Sequence, residues 1–483
     1  MAIGTFPSFS TVNFYAGNEL SRVSWLRNNS DFLNDVLNRD STRFIVMQNL
    51  NPMVHASSQS DSGDGNLAML KWQDVRETIN EACGQSGKDS INIFGPASHG
   101  LSIDQNEDAK TFDRATQGMS PTSIALVFLG MDETHLEQGS LPGKTAKSSS
   151  SSAPAGTPIF ALSLSYRPPG TPEDQLVPVE RLADKLTKDG KFDFVDTRSL
   201  AQAGKWPLHN AAMVAQARSL LDWNERQQFC PSCGRRQYSL WAGWKRACAS
   251  SLIKATQDPL KKSFIEPLLI DGKSLEQDGK GDCATTHSLS NFCYPRTDPT
   301  VIMAIVSPDG EKILLGRQKK WPKGFYSCLA GFLEPAESLE EAVRREIFEE
   351  SGVSVGKVIY HSSQPWPFPA NLMMGAIGQA IEGKDEIRLD LDNELEDARF
   401  FTREEVLNVL ASSTMKWNEK DEGSVANVLS DSENRTARPK FRIPGQTAIA
   451  HVLISAWAKG EAHFPENTAN DSKAYRAEVE STR

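Results

Sequence analysis

Three glutamates, Glu346, Glu349 and Glu350, stand at positions i, i+3 and i+4 of a charged segment whose apolar residues recur at helical spacing. At 3.6 residues per turn all three share one face. Like charges so placed repel, and a hard divalent cation such as Mg²⁺ relieves the repulsion because it takes oxygen ligands and bridges carboxylates to phosphates. Glutamate-rich helices are also common as plain solvated surface, and the three residues alone do not separate those readings. A second constellation points to a softer metal. Cys230-Pro231-Ser232-Cys233-Gly234 is a C-x2-C knuckle, and Cys248 follows it. Thiolates at this spacing suit Zn²⁺, and a closed tetrahedral site needs a fourth ligand, for which Cys283, Cys293 and His287 are available. Four thiolates leave no open position, so such a zinc is structural. The third stretch is Ser363-Gln364-Pro365-Trp366-Pro367-Phe368-Pro369-Ala370-Asn371. Its three prolines hold the chain extended and present Trp366 and Phe368 rigidly, for stacking on a nicotinamide or adenine ring or, alternatively, as a strand edge or polyproline ligand.

Positioning these groups requires a scaffold, and the sequence supplies one. Residues 338–350 form an amphipathic helix that Gly352 terminates. Thr300–Val306 is a continuous β-prone run between Pro299 and the Pro308-Asp309-Gly310 turn, with Ile313–Gly316 as its hairpin partner. Further strands are expected near 372–381 and 397–401, and a closing helix over Thr447–Ala458. Ser123–Gly130 and Pro158–Ser165 read as buried strands, and Ala211–Gln228 as a helix leading into the cysteines. Polar segments at 56–65, Gly139–Thr157 (which contains the run Ser148–Ser152), 249–282 and 418–440 have the composition of loops or insertions. No internal repeat is evident.

The chain has 483 residues, 39% hydrophobic and 24% charged, which suits a globular protein of several domains. Its formal net charge of −10 disfavours general attraction to nucleic acid or anionic membrane. No apolar run reaches the roughly 18–20 residues of a membrane-spanning helix, and Met1–Pro7 lacks the pattern of a secretory leader. Five of the seven cysteines fall between positions 230 and 293, a clustering that fits a metal site in a reducing compartment better than a disulfide framework. The expected compartment is the cytosol; a peroxisomal location is the alternative, although the chain ends Glu480-Ser481-Thr482-Arg483 rather than in Ser-Lys-Leu.

Gly331-Phe332-Leu333-Glu334-Pro335-Ala336-Glu337, with Arg345-Glu346-Ile347-Phe348-Glu349-Glu350-Ser351-Gly352-Val353 after it, resembles the Nudix box G-x5-E-x7-R-E-U-x-E-E-x-G-U, with U apolar and every specified position filled. The proline-rich stretch resembles the SQPWPFPxS signature of the NADH pyrophosphatase branch of that family, with Asn371 in place of the serine. Glu394-Leu395-Glu396-Asp397-Ala398-Arg399-Phe400-Phe401 is similar to the family's E-x-x-E-A-R-W-F strand, departing at Asp397 and Phe400. Residues from Asn13 to Gly17 and from Trp25 to Arg27 are similar to the start of its N-terminal domain.

The resemblance implies an α/β chain: an N-terminal α/β domain over 1–210, a helix and zinc ribbon over 211–296, a C-terminal Nudix α/β/α sandwich over 297–465 and a polar tail over 466–483. It implies Glu346, Glu349, Glu350, the Ala330 carbonyl and Glu394 as ligands of catalytic Mg²⁺ or Mn²⁺, with Glu337 and Arg345 bracing the loop. It implies Gln364 to Asn371 (Pro365, Trp366, Pro367, Phe368, Pro369 and Ala370 between them) as substrate contacts, joined by Tyr294, Phe332 and Ala450. Because the family places its last ribbon cysteine several residues before a Tyr-Pro pair, here Tyr294-Pro295, it favours Cys283 over Cys293 as fourth ligand. The implied reaction is attack of a metal-activated water on the diphosphate of NADH or NAD, giving nicotinamide mononucleotide and AMP, in a homodimer. Removal of an NAD cap from RNA is the second enzymatic expectation, and a non-catalytic zinc-ribbon binding module the alternative of another class.

Overall fold

The computed structural model describes residues 11–56, 67–99, 101, 109–136, 154–167, 173–188, 190–203, 206–255, 283–286, 293–390, 394–413, 441–462 and 464. His287, the loops expected at 148–152 and 418–440, most of those at 56–65 and 249–282, and the tail from 466 lie outside them. Two compact units emerge. One comprises Tyr15–Thr297 together with Pro365–Asn371; the other comprises Met1–Phe14, Asp298–Gln364 and Leu372–Arg483.

The first unit is built on a six-stranded sheet of β1 (Arg43–Gln48), β2 (Asn51–His55), β3 (Met69–Lys71), β4 (Leu126–Asp132), β5 (Thr157–Ser163) and β6 (Phe192–Phe194), in the order β4-β5-β1-β2-β6 with β3 also on β1. Only the β1–β5 pairing is parallel, with Phe44 opposite Phe160. Alternate residues of β1 are sent to opposite faces. Phe44 and Val46 join a core with α1 (Ser30–Leu37), α2 (Trp72–Ala82) and α4 (Glu173–Lys188). Two short helices, α3 (Ala109–Thr116) and α5 (Thr197–Ala203), precede α6 (Leu208–Arg226), which packs on β4 and β5. A hairpin of β7 (Gln237–Leu240) and β8 (Lys245–Cys248), followed by α7 (Ser250–Ala255), comes after the Cys230–Cys233 knuckle and ends on Cys248. Eleven residues of α6, from Ala211 to Asn224, are buried, so this helix is part of the sheet's cover as well as the lead into the cysteines.

The second unit holds β9 (Asp298–Val306), β10 (Lys312–Gln318), β11 (Leu329–Phe332), β12 (Val355–Trp366), β13 (Asn371–Ala380) and β14 (Leu395–Thr402), ordered β12-β13-β9-β10-β14 with β11 on β9. Its helices are α8 (Leu339–Ser351), α9 (Arg403–Ser413) and α10 (Ile449–Ala458). Val301, Met303 and Ile305 of β9 pack toward α8. Ile302, Ala304 and Val306 pack toward α9 and α10. A strand covered on both faces reads as an unbroken apolar run, which is how the sequence announced it. The sheet between two helical layers is the expected α/β/α sandwich, and the β9–β10 hairpin sets Ile313 opposite Val306. Strand β12 was not foreseen, because His361, Ser362, Ser363 and Gln364 interrupt any apolar alternation. Among the described residues no helix is long and apolar enough to cross a membrane.

Candidate active site

Helix α8 is fixed at both ends by its own sequence. Ser338 caps its start, accepting from the Glu341 N–H at 3.3 Å while the Glu341 carboxylate accepts from the Ser338 N–H at 2.7 Å. Gly352, at φ 72°, closes it and donates to the Phe348 carbonyl at 2.8 Å. Between these caps the three glutamates differ in setting. Glu350 is 4% exposed, Glu346 is largely buried and Glu349 is about half exposed.

Arg345 holds the constellation together. Its Nε and Nη2 meet both oxygens of Glu337 at 2.6 and 2.9 Å, Nη1 reaches Glu346 at 2.9 Å and Glu349 at 3.1 Å, and Nη2 also donates to the Phe332 carbonyl at 2.9 Å. Glu337 in turn accepts from the Glu334 N–H at 2.8 Å, closing the loop between β11 and α8. The Arg345 guanidinium pulls the Glu337 carboxyl below the usual glutamate range. Burial pushes Glu346 up; Arg345 opposes that, while the charges of Glu349 and Glu394 add to it. A carboxylate so placed, close to other carboxylates, is one whose charged form a bound cation would favour.

Gly331 explains how Glu346 fits. A Cβ at that position would fall 2.0 Å from the Glu346 carboxyl carbon, so the glutamate occupies space that only glycine leaves open. One residue earlier, Ala330 lines a cavity of about 170 Å³ whose wall also includes Glu350, Gln318, Trp321, Cys328 and Leu395. Gln318 donates to Glu394, and Arg317 pairs with Glu396 at 2.6 Å, so the edge of β10 and the start of β14 hold Glu394 on this side. Ala450 is 3% exposed, and its carbonyl faces the Cys328 thiol at 3.9 Å. Phe332, 57% exposed, is the freest aromatic of the group. Carboxylate oxygens on one helix and one strand end are the donors that a hard divalent cation takes, but among the described residues only the four cysteines, and no three carboxylates, bring their donor atoms within 4.8 Å of one another.

The proline-rich segment divides. Gln364 is 1% exposed, and its amide is fully committed: it donates to the carbonyls of Phe14 and Thr447 at 2.9 and 2.8 Å and accepts from the Ile449 N–H at 2.9 Å. Such a side chain fixes the backbone around it, at a position where the resemblance implied a substrate contact. Beyond it, Trp366 and Phe368 lie edge to face at 5.1 Å, and Tyr15 meets each at 6.2 Å. The guanidinium groups of Arg198 and Arg218 stand 4.5 and 4.9 Å from the Phe368 ring. Arg218 also donates to the carbonyls of Pro367 at 2.8 Å and Leu50 at 2.6 Å, and Ser219 to that of Pro369 at 3.3 Å. Pro365, Pro369 and Ala370 are partly or fully exposed, and the Asn371 Oδ1 is buried without a partner. Sequence spacing gave no sign of Arg198, Arg218 or Leu50, which reach the segment only through the fold. Tyr294 sits elsewhere in the same unit, 5.8 Å from the Trp241 ring and under Lys245.

The four sulfurs of Cys230, Cys233, Cys248 and Cys283 lie within 4.8 Å of one another. Gly234 at φ 76° turns the knuckle, donating to the Cys230 carbonyl at 2.7 Å, and β8 delivers Cys248. Cys293 is buried outside the group. Close, convergent thiols with no disulfide between them fit a structural Zn²⁺.

Comparison with known proteins places these features. Residues 296–421 match the NUDIX domain, and residues 41–223 match the NADH pyrophosphatase-like rudimentary NUDIX domain. The chain is 34% identical to an NAD-capped RNA hydrolase of Schizosaccharomyces pombe, over 92% of each chain. It is 31% identical to a human NAD-capped RNA hydrolase, covering 92% of this chain and 73% of that one. A human mitochondrial NAD(P)H pyrophosphatase is 32% identical over 52% of this chain and 55% of its own.

Proposed function

The chain belongs to the Nudix hydrolases, in the branch that carries a rudimentary Nudix domain ahead of the complete one, and on that premise we propose that it cuts the diphosphate of NADH or NAD into nicotinamide mononucleotide and AMP. The observation that carries this reading is the pair Glu346 and Glu349 braced by Arg345, with Glu350 of the same helix in the wall of a cavity. Mg²⁺ or Mn²⁺ would be held by those glutamates with the Ala330 carbonyl and Glu394. Such an ion, when bound, offsets charge on the diphosphate and lowers the pKa of water. The protein's own part is orientation: Arg345 keeps two of the carboxylates in place before substrate arrives, so little reorganisation remains at the moment of reaction. Trp366 and Phe368, clamped by Tyr15, Arg198 and Arg218, are the rigid surface against which a nicotinamide or adenine ring stacks. A homodimer belongs to the same reading.

Cleavage of NAD caps on RNA is the second reading, favoured by the two relatives that carry that name at 34% and 31% identity. The bond broken is the same. The test is a kinetic comparison of NADH, NAD, NAD-capped RNA, ADP-ribose and diadenosine polyphosphates on one preparation, with products identified. Nicotinamide mononucleotide should appear from NAD and NAD-capped RNA, and its reduced form from NADH. A tenfold preference for ADP-ribose or diadenosine polyphosphates over all of them would sink both readings. Zinc is tested separately: the purified protein should retain one Zn²⁺ per chain after mild chelation, Cys283→Ser should lose it, and Cys293→Ser should keep it.

A further inference from the structure

A cavity of about 60 Å³ lies inside the first unit, walled by the strand leading into β4, the end of α6 and the β7–β8 hairpin. Its lining includes Ser120, Tyr166, Asn224, Gln237 and Arg246. Arg246 is 4% exposed. Its Nη atoms donate to the Asn224 carbonyl at 3.4 Å, the Asn224 side-chain oxygen at 3.2 Å, the Gln228 side chain at 3.5 Å and the Gln237 carbonyl at 2.9 Å. All four acceptors are neutral. The Tyr166 hydroxyl also acts on this guanidinium; among the described residues the Nε–H has no partner, and no carboxylate is among the groups that act on the guanidinium. Glu225, an acid on α6, accepts from the Ser163 hydroxyl at 2.7 Å and does not line the cavity. Gln237 is 4% exposed with neither end of its amide partnered, and Ser120 is 3% exposed with its hydroxyl unpartnered.

Native interiors leave few polar groups unpaired, and a buried cation without a counter-charge is costly. Here three residues that face one cavity break the first rule together, and one of them breaks the second. We propose that this cavity is a binding site for inorganic phosphate in a protonated form. The Arg246 Nε–H, the Gln237 amide N–H and the Ser120 hydroxyl supply donors to three oxygens. The Gln237 carbonyl end, the one acceptor left over, takes the P–OH proton. A single water needs only about 10–15 Å³ of such volume, so the space admits a tetrahedral ion. Sulfate carries no proton at neutral pH and leaves that acceptor unmet, so phosphate is preferred. The site is independent of the glutamates on α8, and its occupant ties the cysteine-bearing hairpin to the sheet.

The experiment is thermal unfolding of the full-length, zinc-loaded protein, without added Mg²⁺ or Mn²⁺, across a series of sodium phosphate at constant ionic strength and a parallel series of sodium sulfate. A saturable rise of a few degrees is expected with phosphate, with sulfate clearly weaker. Glu350→Gln should leave the rise intact, whereas Ser120→Ala and Gln237→Leu should remove it. A flat response, or a rise that survives both cavity variants, means the cavity holds water only and overturns the proposal. An equal response to sulfate overturns the assignment to protonated phosphate. Should the variants fold poorly, arsenate-soaked crystals of the parent protein decide: an anomalous peak beside Arg246 Nε supports the site, and its absence there refutes it.

Discussion

The two six-stranded sheets are wound alike, yet only one carries the chemistry. In each, a central strand (β1 or β9) pairs with its hairpin partner (β2 or β10) and with a third strand (β3 or β11) that leads into a helix. The next two strands lie on the far side of the centre, and the last strand edges the hairpin partner. Helices α2 and α8 correspond, each begun by an acidic side chain accepting from the cap N–H (Asp74 at 2.8 Å, Glu341 at 2.7 Å) and each followed by a left-handed glycine, Gly84 or Gly352. With those glycines aligned, Glu350 corresponds to Ala82, Glu346 to Thr78 and Arg345 to Glu77. The loop Leu333–Ser338 has no counterpart, because Lys71 ends β3 and Trp72 starts α2. The two sheets share a frame and differ in a short loop and a few side chains, so on the proposed reading those groups, and not the fold, are what hydrolysis requires.

The largest effect should come from Glu350→Gln, which removes a charge and scarcely alters shape. Turnover should fall about 10²–10³-fold with the melting temperature preserved; retention of half the parent's rate at saturating metal would end the catalytic assignment. The mirror change, Ala82→Glu, places a carboxylate at a position 1% exposed in the first sheet. It should lower stability without altering the chemical step in molecules that remain folded. Next comes Gly331→Ala. Its methyl group claims the place of the Glu346 carboxylate, and a displaced ligand should cost about tenfold or more in kcat, given roughly 1.4 kcal/mol per factor of ten. An unchanged kcat would show that Glu346 can move without consequence.

Truncating Trp366 or Phe368 to Ala should lower kcat/KM for NADH about tenfold, through lost stacking and lost packing. A simpler diphosphate lacking nicotinamide should suffer less on the same preparation. Equal losses for both substrates, at unchanged thermal stability, would make the segment scaffold. The smallest effect concerns Glu337, whose carboxyl Arg345 holds below the ordinary range. A carboxyl with a depressed folded-state pKa stabilises the fold above its unfolded value, about 4.3 for glutamate, and loses that contribution as pH falls through the folded value. The parent should therefore be more stable than Glu337→Gln at pH 7, and the gap should narrow in acid. A gap independent of pH would mean that the ion pair contributes nothing through charge.

The catalytic sheet was largely legible in the sequence because its signals are local. Gly331, Glu337, Arg345 and the three glutamates lie within one short stretch: helical periodicity puts the glutamates on one face, and the resemblance to the Nudix box implied the other three. The unbroken apolar run of β9 was equally plain. Strand β12 was not, since its polar residues draw their order from pairing with neighbours instead of from alternation. The commitment of Gln364 to Phe14, Thr447 and Ile449, and the clamp of Arg198 and Arg218 on Phe368, join residues far apart in the chain. Such contacts leave no spacing to read. The fourth cysteine was similarly open on residue types alone, and only the fold gathers Cys283 rather than Cys293 with the other three.

The turn between β12 and β13 carries one further consequence, for heredity. Residues Pro365–Asn371 are encoded within the half that carries the glutamates, but Arg198, Arg218 (itself anchored on the Leu50 carbonyl) and Ser219 hold them. A gene fragment beginning near residue 297 would transmit every glutamate and none of that grip. Recombination that exchanged the first half for a relative's would replace the clamp while leaving the clamped segment behind. The stretch of chain that must be inherited together is thus longer than the stretch that does the chemistry, and drift in one half constrains what the other can keep.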